Sequence, residues 1–153
     1  MANTYSKFYI QIVFSVKGRQ SLIHKTWREE LYNYICGIVN KSKQKVYAIG
    51  GVSDHIHILI SFNPNQSISD LVRDIKANST KWINDKQFVI GKFQWQEGFG
   101  AFSYAQSQLN YVSNYINNQE QHHTIKSFKN EFMELLNRFE IDYDEKYLFD
   151  WIE

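Results

Sequence analysis

At 153 residues, 43% apolar and 16% aromatic, the chain suits one domain with a sizeable core, taken here as residues 1–153. A single cysteine, Cys36, excludes a disulfide framework and a cysteine-based zinc site, and no apolar run approaches the roughly 18 to 20 residues of a membrane span, so a soluble, unprocessed cytoplasmic protein is expected. The net charge of +1 argues against a uniformly electrostatic nucleic-acid binder, yet residues 1–92 carry thirteen Lys and Arg against six Asp and Glu while residues 93–153 carry four against ten, which leaves room for a local phosphate-binding surface.

Residues 7–16 (KFYIQIVFSV) are aromatic and β-branched and predict a first strand ending at Lys17-Gly18-Arg19. Thr26 and Glu29 have capping-box spacing, and Leu31, Tyr34, Ile35, Ile38 and Val39 recur at helical period through about Ser42. Residues 44–52 predict a second strand whose Gly50-Gly51 pair invites a bulge or a close backbone approach. The third strand, residues 54–62, contains His55-Ile56-His57: alternation puts both histidines on one face about 7 Å apart and Ile56, Ile58 and Ile60 on the other. Two imidazoles so held can share one metal ion.

Asn63-Pro64-Asn65 breaks that strand, and Ser67 with Asp70 opens a second helix with Ile68, Leu71, Val72, Ile75, Trp82 and Ile83 as its apolar stripe. Its other faces show Arg73, Lys76, Asn78, Thr80 and Lys81, side chains suited to phosphates and base edges or to ordinary helix surface. Residues 93–105 predict a further strand or hairpin, completing βαββαβ, an α+β ferredoxin-like plan of an antiparallel sheet with helices on one face. A helix over about 107–121 follows, with Leu109, Val112 and Ile116 as its stripe, Tyr115 at the edge and Gln119 nearer the centre. An inward amide needs partners, because leaving it unsatisfied costs about 1–3 kcal/mol. A last amphipathic helix over about 125–139 precedes an acidic, aromatic tail at 140–153.

The strand-borne His-Ile-His, the helix carrying Tyr115-Ile-Asn-Asn-Gln119 and the order of elements resemble the single-tyrosine HUH transposases of the 200/605 group of bacterial insertion sequences. The similarity runs through IVFSVKGRQ, GGVSDHIHILISF and WQEGFGAFSYAQSQLNYVSNYINNQEQHH, nearly the whole chain. It implies the following roles: His55 and His57 as paired metal ligands, Gln119 as the third, and Tyr115 as the nucleophile. It further implies Mg2+ or Mn2+, binding of a subterminal single-stranded DNA hairpin, a 5′-phosphotyrosine intermediate, and a homodimer in which one subunit's tyrosine helix completes the other's histidine site. A bacterial or archaeal, nucleoid-associated protein is expected.

Chemistry fits these residue types. A phenol with a pKa near 10 is a poor nucleophile and a phosphodiester a poor electrophile, so a divalent cation that draws charge from a non-bridging oxygen addresses the second problem. The covalent ester conserves bond energy, so no nucleotide cofactor is required, and neither Gly50-Gly51 nor Gly98-x-Gly100 matches a phosphate-cradling loop. Imidazoles favour zinc, nickel or manganese and oxygen donors favour magnesium; DNA, amide and water oxygens tilt the expectation to Mg2+ or Mn2+ and to weak occupancy without DNA. Tyr111 and Tyr104 are the other candidate nucleophiles, Asp54 is either an acceptor that orients a histidine or a plain turn residue, and adjacent His122 and His123 point about 100° apart and are not counted as ligands. Among rival functions, a histidine-triad nucleotide hydrolase would need a third alternating histidine where Leu59 stands. A non-catalytic single-strand-binding module would stack bases on the sheet aromatics, and a domesticated relative or nickase would keep the chemistry in another setting.

Overall fold

The structure, a computed structural model, describes residues 5–122 and 127–143, the side chain of His122 excepted. Four strands, β1 (Phe8–Ser15), β2 (Lys45–Val52), β3 (His55–Phe62) and β4 (Gly100–Tyr104), form an antiparallel sheet in the order β2-β3-β1-β4. Helices α1 (Lys25–Lys41) and α2 (Ile68–Lys86) complete the expected βαββαβ order. After β4 come α3 (Leu109–Asn117), the short α4 (Gln119–His122) and α5 (Phe128–Arg138).

Strand alternation divides the molecule into two halves. Ile10, Ile12 and Phe14 of β1 and Ile56, Ile58 and Ile60 of β3 face α1 and α2, where Leu31, Ile35, Val39, Leu71, Val72, Ile75 and Ile83 complete the main core. Gln11, Val13 and Ser15 share the opposite face with His55, His57 and Leu59, since Val13 pairs with His57 and Ser15 with His55. The C-terminal helices cover this second face. Val112 and Ile116 of α3 pack on Ala48 and Leu59, and Phe128, Phe132, Leu135 and Leu136 of α5 pack on Val13 and Phe102. Both faces are thus buried, which is why β1 and β3 read as almost continuous apolar runs.

Several local expectations are refined. Helix α1 starts at Lys25 with His24 as an N-cap that makes no side-chain bond, so Thr26 and Glu29 fall inside the helix and form no capping box. Ser67 does cap α2, its hydroxyl accepting from the Asp70 N–H at 3.0 Å. The register shift in β2 lies between Val46 and Ala48, whereas Gly50 provides the close approach: a Cβ there would run into the Ile116 carbonyl of α3. Of residues 93–105 only Gly100–Tyr104 is a strand, because Phe93 and Trp95 turn into the main core and Gly98 adopts φ +87°. The predicted single helix through Gln121 breaks at Asn118, whose backbone leaves helical geometry (φ −108°, ψ 26°) between α3 and α4. Helix α5 begins at Phe128 behind a Ser127 cap. His123, residues 125–126 and the tail from 144 onward lie outside the described residues.

Candidate metal centre and tyrosine

His55 and His57 are 0% exposed and their rings lie 5.2 Å apart between centroids. Each ring is fixed from behind. Asp54, a carboxylate that can only accept, takes the Nδ1–H of His55 at 2.8 Å. Gln11, buried inside β1, gives its amide N–H to the Tyr104 hydroxyl at 2.7 Å and thereby turns its oxygen to the Nδ1–H of His57, also at 2.7 Å. Both Nε2 atoms are left facing the same space beneath α3 and α5.

Two further side chains enter that space. The break at Asn118 turns Gln119 inward; it is 1% exposed and its Oε1 lies 3.2 Å from His55 Nε2. Helix α4 is tied down beside it, because Glu120 accepts from Arg28 of α1 at 2.8 Å while the same guanidinium donates to the Ile23 carbonyl at 2.8 Å. Glu131 of α5, 2% exposed, places Oε1 3.0 Å from His57 Nε2 and 3.4 Å from His55 Nε2. The ligand atoms of His55, His57 and Glu131 all lie within 4.8 Å of one another. Gln119 Nε2 donates to Glu131 Oε2 at 3.0 Å, and the Tyr115 hydroxyl donates to the same oxygen.

The donor set tests whether a cation fits. With both Nδ1 atoms protonated, neutral imidazoles turn two lone pairs toward two oxygens that also carry lone pairs. Acceptors facing acceptors repel unless a proton or a cation sits between them. Burial alone pushes His55 down, but its hydrogen bonds to Asp54 and Glu131, and their charges, outweigh burial and hold it above the usual histidine value. Proton and cation therefore compete for one place. The Ser15 hydroxyl, opposite His55 on the same face, is buried with no hydrogen-bond partner among the described residues. Tyr115 is half-buried; burial first, then the charge and hydrogen bond of Glu131, pushes its phenol well above the ordinary value. A pocket of about 90 Å³ between α3 and α5, lined by Tyr104, Tyr111, Tyr115, Glu131, Glu134 and Arg138 among others, leads to it.

The remaining candidates are dispersed. Tyr111 is 69% exposed on α3, and Tyr104 is held in the Gln11 bond. Arg73, Lys76, Asn78, Thr80 and Lys81 ride on α2, across the sheet from the histidines. Arg73, Lys76 and Thr80 line an open cleft of about 870 Å³ with Lys17, Trp95 and Phe99. Lys76 clamps the loop before β4, donating to the carbonyls of Gln96 at 2.8 Å and Gly98 at 2.5 Å, and burial lowers its pKa to about 8. Arg73 pairs with Asp70, Lys81 with Asp85, and Asn78 bonds back to the Asp74 carbonyl.

The family model described as "Transposase IS200 like" matches residues 4–119, from before β1 to the inward glutamine. The chain belongs to the IS200-like transposase family. Two solved structures share the fold of this transposase at 17% identity. One is a candidate transposase from Deinococcus radiodurans R1, with a TM-score of 0.61 over 78% of this chain and 95% of the other. The second is a REP-associated tyrosine transposase bound to a REP hairpin, with a TM-score of 0.56 over 76% of this chain and 68% of the other. No curated protein matches the chain. Among the described residues of this transposase, no helix is long and apolar enough to cross a membrane.

Gln11 and Glu131 are the site residues that sequence reasoning missed. Both had a signal: a lone amide in an apolar strand, and a carboxylate at the second position of the stripe Phe128, Glu131, Phe132, Leu135.

Proposed function

We propose that this transposase cuts and rejoins single-stranded DNA through a covalent tyrosine ester, with Tyr115 as nucleophile and His55, His57 and Gln119 holding a divalent cation, Mg2+ or Mn2+. The observation that carries the reading is the convergence of two imidazole Nε2 atoms and the Gln119 oxygen beside the Tyr115 hydroxyl, in one buried cluster of one chain. In cleavage, the Tyr115 oxygen forms a bond to phosphorus as the bond to the 3′-oxygen breaks. The phenolic proton is given up, the departing oxygen gains one, and a 5′-phosphotyrosine remains beside a free 3′-hydroxyl. Rejoining reverses these steps at the same cost in bonds, so no nucleotide cofactor is consumed. A bound cation would neutralise charge on a non-bridging phosphate oxygen and fix its position. Asp54 and Gln11 keep both imidazoles in the tautomer that offers Nε2, and the Asn118 break keeps the Gln119 amide aimed at them.

Recognition of a DNA hairpin is supported by the hairpin-bound relative, with the cleft of Arg73, Lys76 and Thr80 as a candidate contact surface. A homodimer with exchanged tyrosine helices is part of the same reading, although one chain already sets Tyr115 against its own His57, with ring centroids 6.2 Å apart. The test incubates the protein with Mn2+ and a hairpin-bearing single strand from its own flanking DNA, then looks for a denaturant-resistant adduct. Wild type and Tyr111→Phe should form it and Tyr115→Phe should not. An adduct with Tyr115→Phe would remove the assigned nucleophile. Mixing Tyr115→Phe with His57→Ala should restore the adduct if helices are exchanged between subunits; no restoration would place each site within one chain.

A further inference from the structure

We propose that Glu131, carried by α5 beyond the segment matched by the family model, is a fourth protein ligand of the cation and the residue that ties the Tyr115 hydroxyl to it. The inference rests on the cation reading above and adds to it a carboxylate, a C-terminal element and a metal preference.

Spacing comes first. Donor atoms about 2.1 Å from a shared ion lie about 3.0 Å apart across an octahedral edge and about 3.4 Å apart across a tetrahedral one. The separations here are 3.0 Å from His57 Nε2 to Glu131 Oε1, 3.4 Å from His55 Nε2 to that oxygen, and 3.2 Å from His55 Nε2 to Gln119 Oε1. Each of these three separations falls in the range of such an edge.

Charge is the second line. Glu131 is 2% exposed, and a buried carboxylate is costly unless positive charge lies against it. A cation between Oε1 and the imidazoles supplies that charge without protonating either ring. The carboxylate divides its labour, Oε1 toward the histidines and Oε2 accepting from Tyr115 and Gln119. One side chain thus connects metal ligands and nucleophile.

Position is the third. Glu131 lies inside the apolar stripe of α5, whose Phe128 stacks on His55 at 4.0 Å between ring centroids and whose Phe132 seats against Gly100, where a Cβ would come within 2.8 Å of the phenyl ring. Helix α5 is docked by these contacts whether or not residue 131 is charged. Two imidazole nitrogens with a carboxylate and an amide oxygen form a mixed set that suits Mn2+ better than Mg2+, and they form it without DNA.

The experiment is a Mn2+ titration of DNA-free protein, with free Mn2+ read by electron paramagnetic resonance and folding checked by circular dichroism and thermal melting. Wild type should bind one Mn2+, and a hundredfold excess of Mg2+ should not displace it. Glu131→Ala and the isosteric Glu131→Gln should each bind at least about tenfold more weakly, in line with the losses seen when metal-site residues are changed. Tyr115→Phe should stay within about twofold of wild type. Glu131→Gln or Glu131→Ala binding Mn2+ as tightly as wild type, while His57→Ala does not, overturns the Glu131 assignment and leaves the histidine reading standing. Wild type binding no more Mn2+ than His57→Ala overturns both.

Discussion

The two faces of β3 have nearly the same burial and opposite chemistry. Ile56, Ile58 and Ile60 point into a cluster of aliphatic and aromatic side chains, whereas His55 and His57, equally 0% exposed, point into a cluster of hydrogen-bonding groups. Burial of the first kind stabilises the fold directly, by roughly 25 cal/mol per Å² of apolar surface. Burial of the second kind gains little net stability, since each desolvated polar group must be repaid by a partner. What it provides is orientation: every ring nitrogen has a defined neighbour. The face that contributes least to stability is the one that carries the proposed cation site.

The sharpest way to break this comparison is to truncate one residue on each face. His57→Ala should lower adduct formation at least about hundredfold while hairpin binding persists, at a stability cost of about 1–3 kcal/mol for the partners left unpaired. Ile58→Ala, one residue on, should cost about 2–5 kcal/mol in denaturant unfolding and leave the chemistry of whatever remains folded intact. If His57→Ala unfolds the protein as Ile58→Ala does, the histidine face is structural and the comparison fails.

A smaller effect sharpens it. Gln11→Leu roughly preserves volume in β1 but removes the acceptor at His57 Nδ1, so Mn2+ affinity should fall about 10- to 100-fold with the fold retained. Unchanged affinity in a metal titration would reduce Gln11 to packing.

The smallest contrast uses one substitution at two places. A Cβ at Gly50 meets the Ile116 backbone, so Gly50→Ala should push α3 off the sheet and cost about 1–3 kcal/mol, with Tyr115 displaced and adduct yield lowered. A Cβ at Gly37, on the exposed face of α1, has nothing within 4 Å, so Gly37→Ala should stabilise by about 0.5–1 kcal/mol through helix propensity and leave the adduct yield alone. Equal shifts in chemical denaturation would mean that α3 is not held as closely as Gly50 indicates.

Much of this was legible in the sequence where the signal was local. Alternation in β3 set the faces and Ser67 marked the start of α2; Gln119 is inward as helical period suggested, but a break at Asn118 and not a continuous helix puts it there. The helix break at Asn118 was not legible, because Tyr-Ile-Asn-Asn-Gln continues a helical pattern as readily as it interrupts one. Glu131 was obscured differently. Seventy-four residues separate it from His57, so no spacing rule links them, and it stands among the ten acidic residues of positions 93–153. Only its place in an otherwise apolar stripe distinguished it. Lys76 shows a different limit: a lysine on a polar helix face reads as a phosphate contact, and nothing local in the sequence shows that its ammonium also donates to two loop carbonyls.

The central claim is that Tyr115 attacks the DNA phosphate beside the histidine pair. It is tested most directly by digesting the protein–DNA adduct and mapping the nucleotide-bearing peptide by mass spectrometry. The account predicts a single phosphodiester on Tyr115, formed only with a divalent cation present and absent in His57→Ala; attachment at Tyr111 or Tyr104, or an adduct that forms equally in His57→Ala, would contradict it.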